Sequence, residues 1–472
     1  MCPWFRVLVS LSVLLSMGRA VPDDNWPQFR GPRSMGVGSG RPPVTWNVET
    51  SANVAWKTKI PGLGHASPIV WGDRVYVATA VSLADDEPTL QTGWLGGSGK
   101  SPDDTGEWTW QLLACDLSSG RIVWTRDVCT GTPVIKRHLK ATHANCTPAT
   151  DGQHILAFFG SEGLFCYDRQ GRLLWQRDFG KLVSGPYDVD DLEWGFASSP
   201  ILYDGRVIVQ CDCLNTNFVA VLDVATGEEQ LRIEREAEVA TWSTPAIAVD
   251  DDGPQIVCNG YHQMAGYRLH TGQRLWHLSG GGDVPVPTPL VTDGLIVLTN
   301  GHSAAPTYAV RVTARGDVTP ARNEPLPDGL AWWERYDGSY MPTPIIVDGL
   351  LYACNDDGRL AVRQLEDGKR VYRQRVGTGR RVYSASAVSA GGHLYFCSER
   401  GEVTVVRTGR DFDVVGRNEM GDVVMATPAI SGDNLLIRTV QHLYCLRADA
   451  ATSDSPFPTK PASDAAAESP DE

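Results

Sequence analysis

The sequence predicts an all-β fold: an eight-bladed β-propeller of four-stranded antiparallel blades, with the ring closed by an N-terminal strand. Three observations carry this. First, one short phrase returns eight times: Ser/Thr-Pro or its equivalent, an apolar pair, an Asp-Gly-like turn, then an apolar β run. The copies begin at Ser67-Pro68, Thr147-Pro148, Ser199-Pro200, Thr244-Pro245, Thr288-Pro289, Thr343-Pro344, Ser386-Ala387 and Thr427-Pro428. Second, four of the five intervals between the later copies are roughly 41 to 45 residues, which is the length of one blade carrying several short strands. Third, the last copy stops after its third strand, Leu443-Tyr444-Cys445-Leu446, while the segment from Asn53 to Ile60 precedes the first copy and reads as an unclaimed strand. Pairing those two pieces seals the sheet edges that an open array would leave exposed.

Taken in order, residues 1–20 read as a secretory signal. Arg6 gives the positive start, Val7 to Met17 an apolar run too short to span a bilayer, and Gly18-Arg19-Ala20 a small-x-small cleavage site. No cysteine follows that run closely enough to suggest lipid attachment. Residues 21–52 form a lead-in without the repeat. Residues 53–447 are then one eight-bladed domain, large because a propeller grows by repetition. The second copy shows the grammar of a blade. Thr147 to Thr150 opens strand A, and Asp151-Gly152 turns into strand B at His154 to Phe159. A Gly-containing turn leads to strand C, Leu164 to Tyr167, and another to strand D with Trp175. Trp124 and Trp276 recur at the same place, and Trp56 puts the N-terminal strand in that grammar too. These indoles suit packing between blades. The tail, 448–472, is mostly Ala, Ser, Pro, Asp and Glu and is expected to be disordered and acidic.

The formal net charge of the full chain is −14. Removing the signal with Arg6 and Arg19 makes it more negative still, and no Lys/Arg-rich stripe offsets it. Nucleic acid and anionic membrane are therefore poor partners. There are 11 cysteines. Cys2 leaves with the signal, and the others fall mostly inside strands, where cysteine behaves as a small hydrophobe. Cys211-Asp212-Cys213 places two thiols on one strand face, the one spacing that leaves a redox or metal role open.

Strand order puts the D-to-A and B-to-C connections at one end of the ring. The long irregular segments, Ala80–Gln111, Cys129–Asn145 and Gly180–Ala197, all belong to that end, and loops gathered on a rigid scaffold point to binding. The candidate ligand-binding residues there are His65, His143, Asn145, Glu193, Trp194, Trp242, Asn259, His262, Asn300, His302 and Tyr340. Trp94, Trp108 and Trp110 add to the aromatic content of the same loops. Asn at the ends of B strands serves turn chemistry or contributes to a ring of amides and aromatics around a funnel. His65, His143, His262 and His302 match no local zinc spacing. No catalytic constellation is evident, so no catalytic or metal residue is assigned.

Trp26-Pro27-Gln28-Phe29-Arg30-Gly31-Pro32, Pro61 to Pro68 and Met425 to Ile430 resemble the exported PQQ-like propeller-repeat proteins of planctomycete type. The wider superfamily is similar to quinoprotein alcohol dehydrogenases and includes the propeller lipoprotein of the outer-membrane barrel-assembly machine. WD-repeat proteins fit less well, because the chain has no Trp-Asp pair. The resemblance implies an exported, periplasmic or extracellular, non-catalytic scaffold, monomeric and without cofactor, whose partner is a cell-envelope protein, peptide or glycan. Its alternative is a PQQ- and calcium-dependent oxidoreductase acting on an alcohol or sugar. That reading would use Trp194 or Trp242 as the floor under the quinone and Glu193 with Asn259 or Asn300 as calcium ligands. The adjacent cysteines that complete the stack in such enzymes are absent from this sequence.

Overall fold

A computed structural model describes residues 24–448, apart from 96–98, 190, 237–238, 293 and 303–304. The signal and the acidic tail lie outside the described residues. Each repeat folds into one antiparallel sheet, giving eight sheets around an axis. Blade 1 is Ile69–Trp71, Arg74–Ser82, Trp108–Asp116 and Ile122–Gly131. Blade 2 is Ala149–Thr150, His154–Phe158, Leu164–Asp168 and Leu173–Arg177. The pattern repeats through blades 3 to 7, and blade 4 gains a two-residue parallel strand, Gly316–Asp317, at its outer edge. Blade 8 takes Ala429–Ser431, Asn434–Arg438 and His442–Leu446 from the end of the chain and Val54–Lys59 from its start. Trp56 there lies opposite Cys445, and Lys59 opposite His442. The ring closes as the sequence predicts.

The Ser/Thr of the repeat has a use that its own blade does not reveal. At six of the eight seams its backbone N–H donates to the hydroxyl oxygen of its counterpart in the next blade. Ser67 bonds to Thr147 at 3.0 Å, Thr147 to Ser199 at 2.9 Å and Ser199 to Thr244 at 3.0 Å. Thr288 bonds to Thr343 at 3.0 Å, Thr343 to Ser386 at 2.9 Å and Ser386 to Thr427 at 3.0 Å. A collar of hydroxyls thus rings the axis, and each bond satisfies a buried amide that no ladder reaches. Between blades 4 and 5 the relay is replaced: Ser243 Oγ and Asn259 Nδ2 both donate to Pro287 O, at 2.9 and 2.8 Å. Between blades 8 and 1, Arg438 takes over and donates to Ala66 O at 3.2 Å and to Ala78 O.

The outer half of four of the seams is a Trp–Gly interlock. Strand-D Trp56, Trp124, Trp175 and Trp332 donate their indole N–H to Leu117, Arg169, Val224 and Leu365 of the next blade, at 2.7 to 3.0 Å. Each ring covers the glycine of that blade's C-to-D turn. A Cβ on Gly120 or Gly227 would lie 2.5 Å from Trp56 or Trp175, and both glycines have positive φ, +70° and +69°. Only glycine meets both demands. Trp276 differs, bonding to Gln255 of its own blade at 2.9 Å.

The lead-in closes one end of the channel. Trp26 exchanges two backbone bonds of 2.9 Å with Val70 in blade 1, and Thr150 of blade 2 donates to Pro27 O at 2.8 Å. Gln28 accepts from Leu202 N of blade 3 at 3.1 Å. Further on, Gly36 and Gly38 pair with Ser389 of blade 7, and Arg41 N reaches Asp433 of blade 8 at 2.7 Å. Arg30 is fully buried at the centre of this crossing. It donates to Thr343 O, Pro344 O and Ala387 O of blades 6 and 7 and to Ser34 O and Met35 O, at 2.7 to 3.3 Å. Burial pushes its pKa down to about 9, which leaves it cationic at neutral pH.

The cysteines from Cys115 to Cys445 are free, and all except half-buried Cys129 are buried. Among the described residues no helix is long and apolar enough to cross a membrane.

Candidate functional site

With the lead-in as floor, the channel is a blind funnel of about 720 Å³ that opens toward the D-to-A and B-to-C loops. Phe29 forms part of the base, and above it Ser67, Thr147, Ser199, Thr244, Thr343, Ser386 and Thr427 of the collar line the wall. The upper chamber is aromatic and acidic, with Trp194, Trp242, Tyr187 and Tyr340 beside Asp188, Asp283 and Asp356. Trp194 and Trp242 pack with ring centroids 5.5 Å apart, and Trp242 Nε1 donates to Gly195 O at 2.8 Å.

The described residues of the B-to-C connection of blade 1, 83–95 and 99–107, form a strap at this mouth. It is shorter than the Ala80–Gln111 that the sequence suggests, because strands B and C extend to Ser82 and back to Trp108. Trp108 and Trp110 are therefore buried strand residues, 2% and 1% exposed, not loop aromatics. Likewise strand D of blade 1 continues to Gly131, past Cys129. The strap is pinned at both ends. Arg137, fully buried, bonds to Asp104 Oδ2 at 2.6 Å and to Thr89 O at 2.9 Å. His143 Nε2 also meets Asp104 Oδ2, at 3.1 Å. Burial works against ionisation of Asp104, but His143 and Arg137 together hold its carboxyl below its ordinary range. Across the mouth, Gly93 N donates to Glu399 of blade 7 at 2.7 Å. Lys140 Nζ and Ser384 Oγ reach the same carboxylate at 2.6 and 2.5 Å. The strap so ties blade 1 to blade 7 above the cavity.

Burial sets the protonation of the chamber. His65 and His138 are both pushed down to about 4 by desolvation, with Lys140 and Arg137 adding repulsion, so both are neutral imidazoles at pH 7. His65 Nε2 contacts Lys140 O at 2.9 Å. Asp356, 6% exposed, is pushed up to about 6 by burial and by neighbouring Asp357. Burial raises the Tyr340 hydroxyl to about 12.

Of the candidates from sequence, the cavity brings together His65, Asn145, Trp194, Trp242, His302 and Tyr340. The others are employed elsewhere. His143 holds the strap through Asp104. Glu193 accepts from Lys136 N at 2.7 Å and pairs with Lys181 at 3.1 Å. Asn259 and Asn300 stitch blades 4 and 5, donating to Pro287 O, Thr299 O and Gly260 O at 2.8 to 2.9 Å. His262 stacks on Tyr261 with centroids 3.8 Å apart. The histidines are thus dispersed, and among the described residues no three His, Cys, Asp or Glu side chains are grouped to hold a metal ion. Sequence reasoning placed Lys140 on this face and missed Tyr187 and Ser384 as wall residues, since nothing in their local pattern marks them.

The family described as outer membrane protein assembly factor BamB matches residues 111–374 and again 327–466. The chain belongs to this family. A curated member, BamB of Moranella endobia (strain PCIT), is 21% identical over 340 residues, spanning 69% of this chain and 78% of the relative. Among solved structures, BamB from Moraxella catarrhalis superposes with a TM-score of 0.50 at 12% identity, covering 78% of this chain and 98% of that one. A europium-containing methanol dehydrogenase gives a TM-score of 0.59 at 11% identity, covering 89% and 90%. At such identities these likenesses establish the propeller and nothing about its chemistry.

Proposed function

We propose that this protein is an exported, non-catalytic scaffold of the cell envelope, acting as a single chain and holding a protein segment, peptide or glycan in its funnel. The observation that carries this reading is the blind, strapped funnel with half-buried indoles over a hydroxyl collar. A concave site of mixed aromatic and polar lining is what ligand burial requires, and paired Trp rings supply large contact area with little entropy to lose. Membership in a family described as an outer membrane assembly factor supports a partner among envelope proteins. The reading takes no quinone or calcium. Glu193, Asn259 and Asn300 are spent on other bonds, and no two cysteines are adjacent.

An array of outer-membrane strand peptides and cell-wall glycan fragments tests this. Tyr187→Ala and Trp242→Ala should each weaken binding of the array ligand by about 2 kcal/mol. Tyr187 is 54% exposed, so its variant should melt as the parent does. Dye-linked oxidation of an alcohol after reconstitution with PQQ and Ca²⁺ would overturn the non-catalytic assignment.

A further inference from the structure

A second cavity, about 510 Å³, adjoins the funnel, with Gly93, Trp94 and Val382 shared between them. Four arginines line it: Arg375 at the end of strand Arg370–Arg375, Arg380 and Arg381 in the connection to blade 7, and Arg400 in the B-to-C turn of blade 7. Its two acids, Asp357 and Glu399, are already neutralised. Asp357 pairs with Arg359 at 2.6 Å. Glu399 is buried under Lys140, Ser384 Oγ and Gly93 N. Arg381 is matched by Glu402 at 3.3 Å. Arg375 donates only to the backbone oxygen of Asp357. Arg380 and Arg400 make no ion pair or hydrogen bond with any described residue. Three uncompensated guanidiniums therefore face one cleft, in a chain whose net charge is −14. Such convergence is repulsive without an anion.

We propose that this cleft binds a phosphate monoester, with the sugar that carries it laid on Trp94. A phosphomonoester brings nearly two negative charges and three acceptor oxygens, which suits several guanidinium forks where a lone carboxylate would leave charge over. Trp94 is 69% exposed at the edge of the cleft, and its flat apolar face with a polar tip suits the face of a sugar ring. The arginines of this cleft are not among the residues that line the funnel, so the proposal does not rest on what the funnel holds.

Calorimetry on the full chain at low salt, with glucose 1-phosphate, inorganic phosphate, glucose and a tetraglutamate peptide, tests the assignment. Glucose 1-phosphate should bind and glucose should not. Arg380→Ala with Arg400→Ala should weaken it at least about tenfold, since charge-assisted bonds are lost. Both side chains are exposed, so that variant should fold. Trp94→Ala should weaken glucose 1-phosphate more than inorganic phosphate. Co-sedimentation with phosphatidylcholine vesicles carrying a monophosphorylated glycolipid would assign the ester to a lipid headgroup, and failure to co-sediment, with glucose 1-phosphate still bound, to a soluble sugar. No saturable heat from either phosphate, affinity unchanged in the double variant, or tighter binding of tetraglutamate would overturn it.

Discussion

Replacing Trp56 by alanine removes the indole that joins the last blade to the first. Trp56 is 8% exposed, its N–H donates to Leu117 O at 2.8 Å, and its ring covers Gly120. Truncating a buried Trp costs about 3 to 5 kcal/mol, and the stranded carbonyl of Leu117 can recover water, so a loss of about 4 kcal/mol is expected. With roughly 2 cal/mol/K of unfolding entropy per residue over some 400 residues, that shifts Tm down by about 5 °C. Scanning calorimetry reads the shift directly. Trp175→Ala is the internal control, since Trp175 makes the same contacts with Val224 and Gly227 at the seam of blades 2 and 3. If the closing strand were merely draped on blade 8, Trp56→Ala would leave Tm within about 1 °C of the parent while Trp175→Ala lowered it. That pair of results would refute closure through the N-terminal strand.

Two further outcomes follow from buried groups. Burial pushes the Glu162 carboxyl up to about 7, so the folded protein holds a proton that the unfolded chain releases near its ordinary value. Stability should therefore fall as pH rises from about 4.5 to 7 and level off above, and Glu162→Gln should flatten that slope in urea titrations at stepped pH. Burial also raises thiols such as Cys115, Cys166 and Cys397 to about 12. Cys129 is raised to about 12 as well, but it alone is half-buried, so a thiol reagent at pH 8 should modify Cys129 slowly and no other described cysteine in the native protein, and all of them rapidly after unfolding. Rapid native labelling of several cysteines would contradict the buried placement.

The fold was legible because a propeller writes each blade in consecutive residues, and turn glycines, strand-D tryptophans and the missing last strand are all local signals. Contacts between blades were not. The hydroxyl of Thr147 serves an amide in blade 1, and Asn259 and Asn300 serve carbonyls across a seam, so their local surroundings read only as turn chemistry. The lead-in carries no repeat and gives no periodic hint that Arg30 will lie under blades 6 and 7. Trp108 and Trp110 were misplaced because an uncommonly long hairpin continues where the other blades turn back. For the site, the aromatic pair Trp194 and Trp242 was readable from loop position. The grip of Gly93 and Lys140 on Glu399 was not, since it joins residues near opposite ends of the chain.

The seating of Val54–Lys59 beside His442–Leu446 fixes an order of events. A chain made from its N-terminus presents the closing strand first and its partner last. Seams between successive blades can zip as each repeat emerges, because every repeat touches mainly its neighbours. The lead-in, however, needs blades 1, 2, 3, 6, 7 and 8 at once, so the channel floor can be laid only when the ring is whole. Until then blade 8 has an open edge, the hazard that invites pairing with another chain. A funnel with a floor is thus the last thing this protein acquires, and nothing can be seated in it before the final blade is in place.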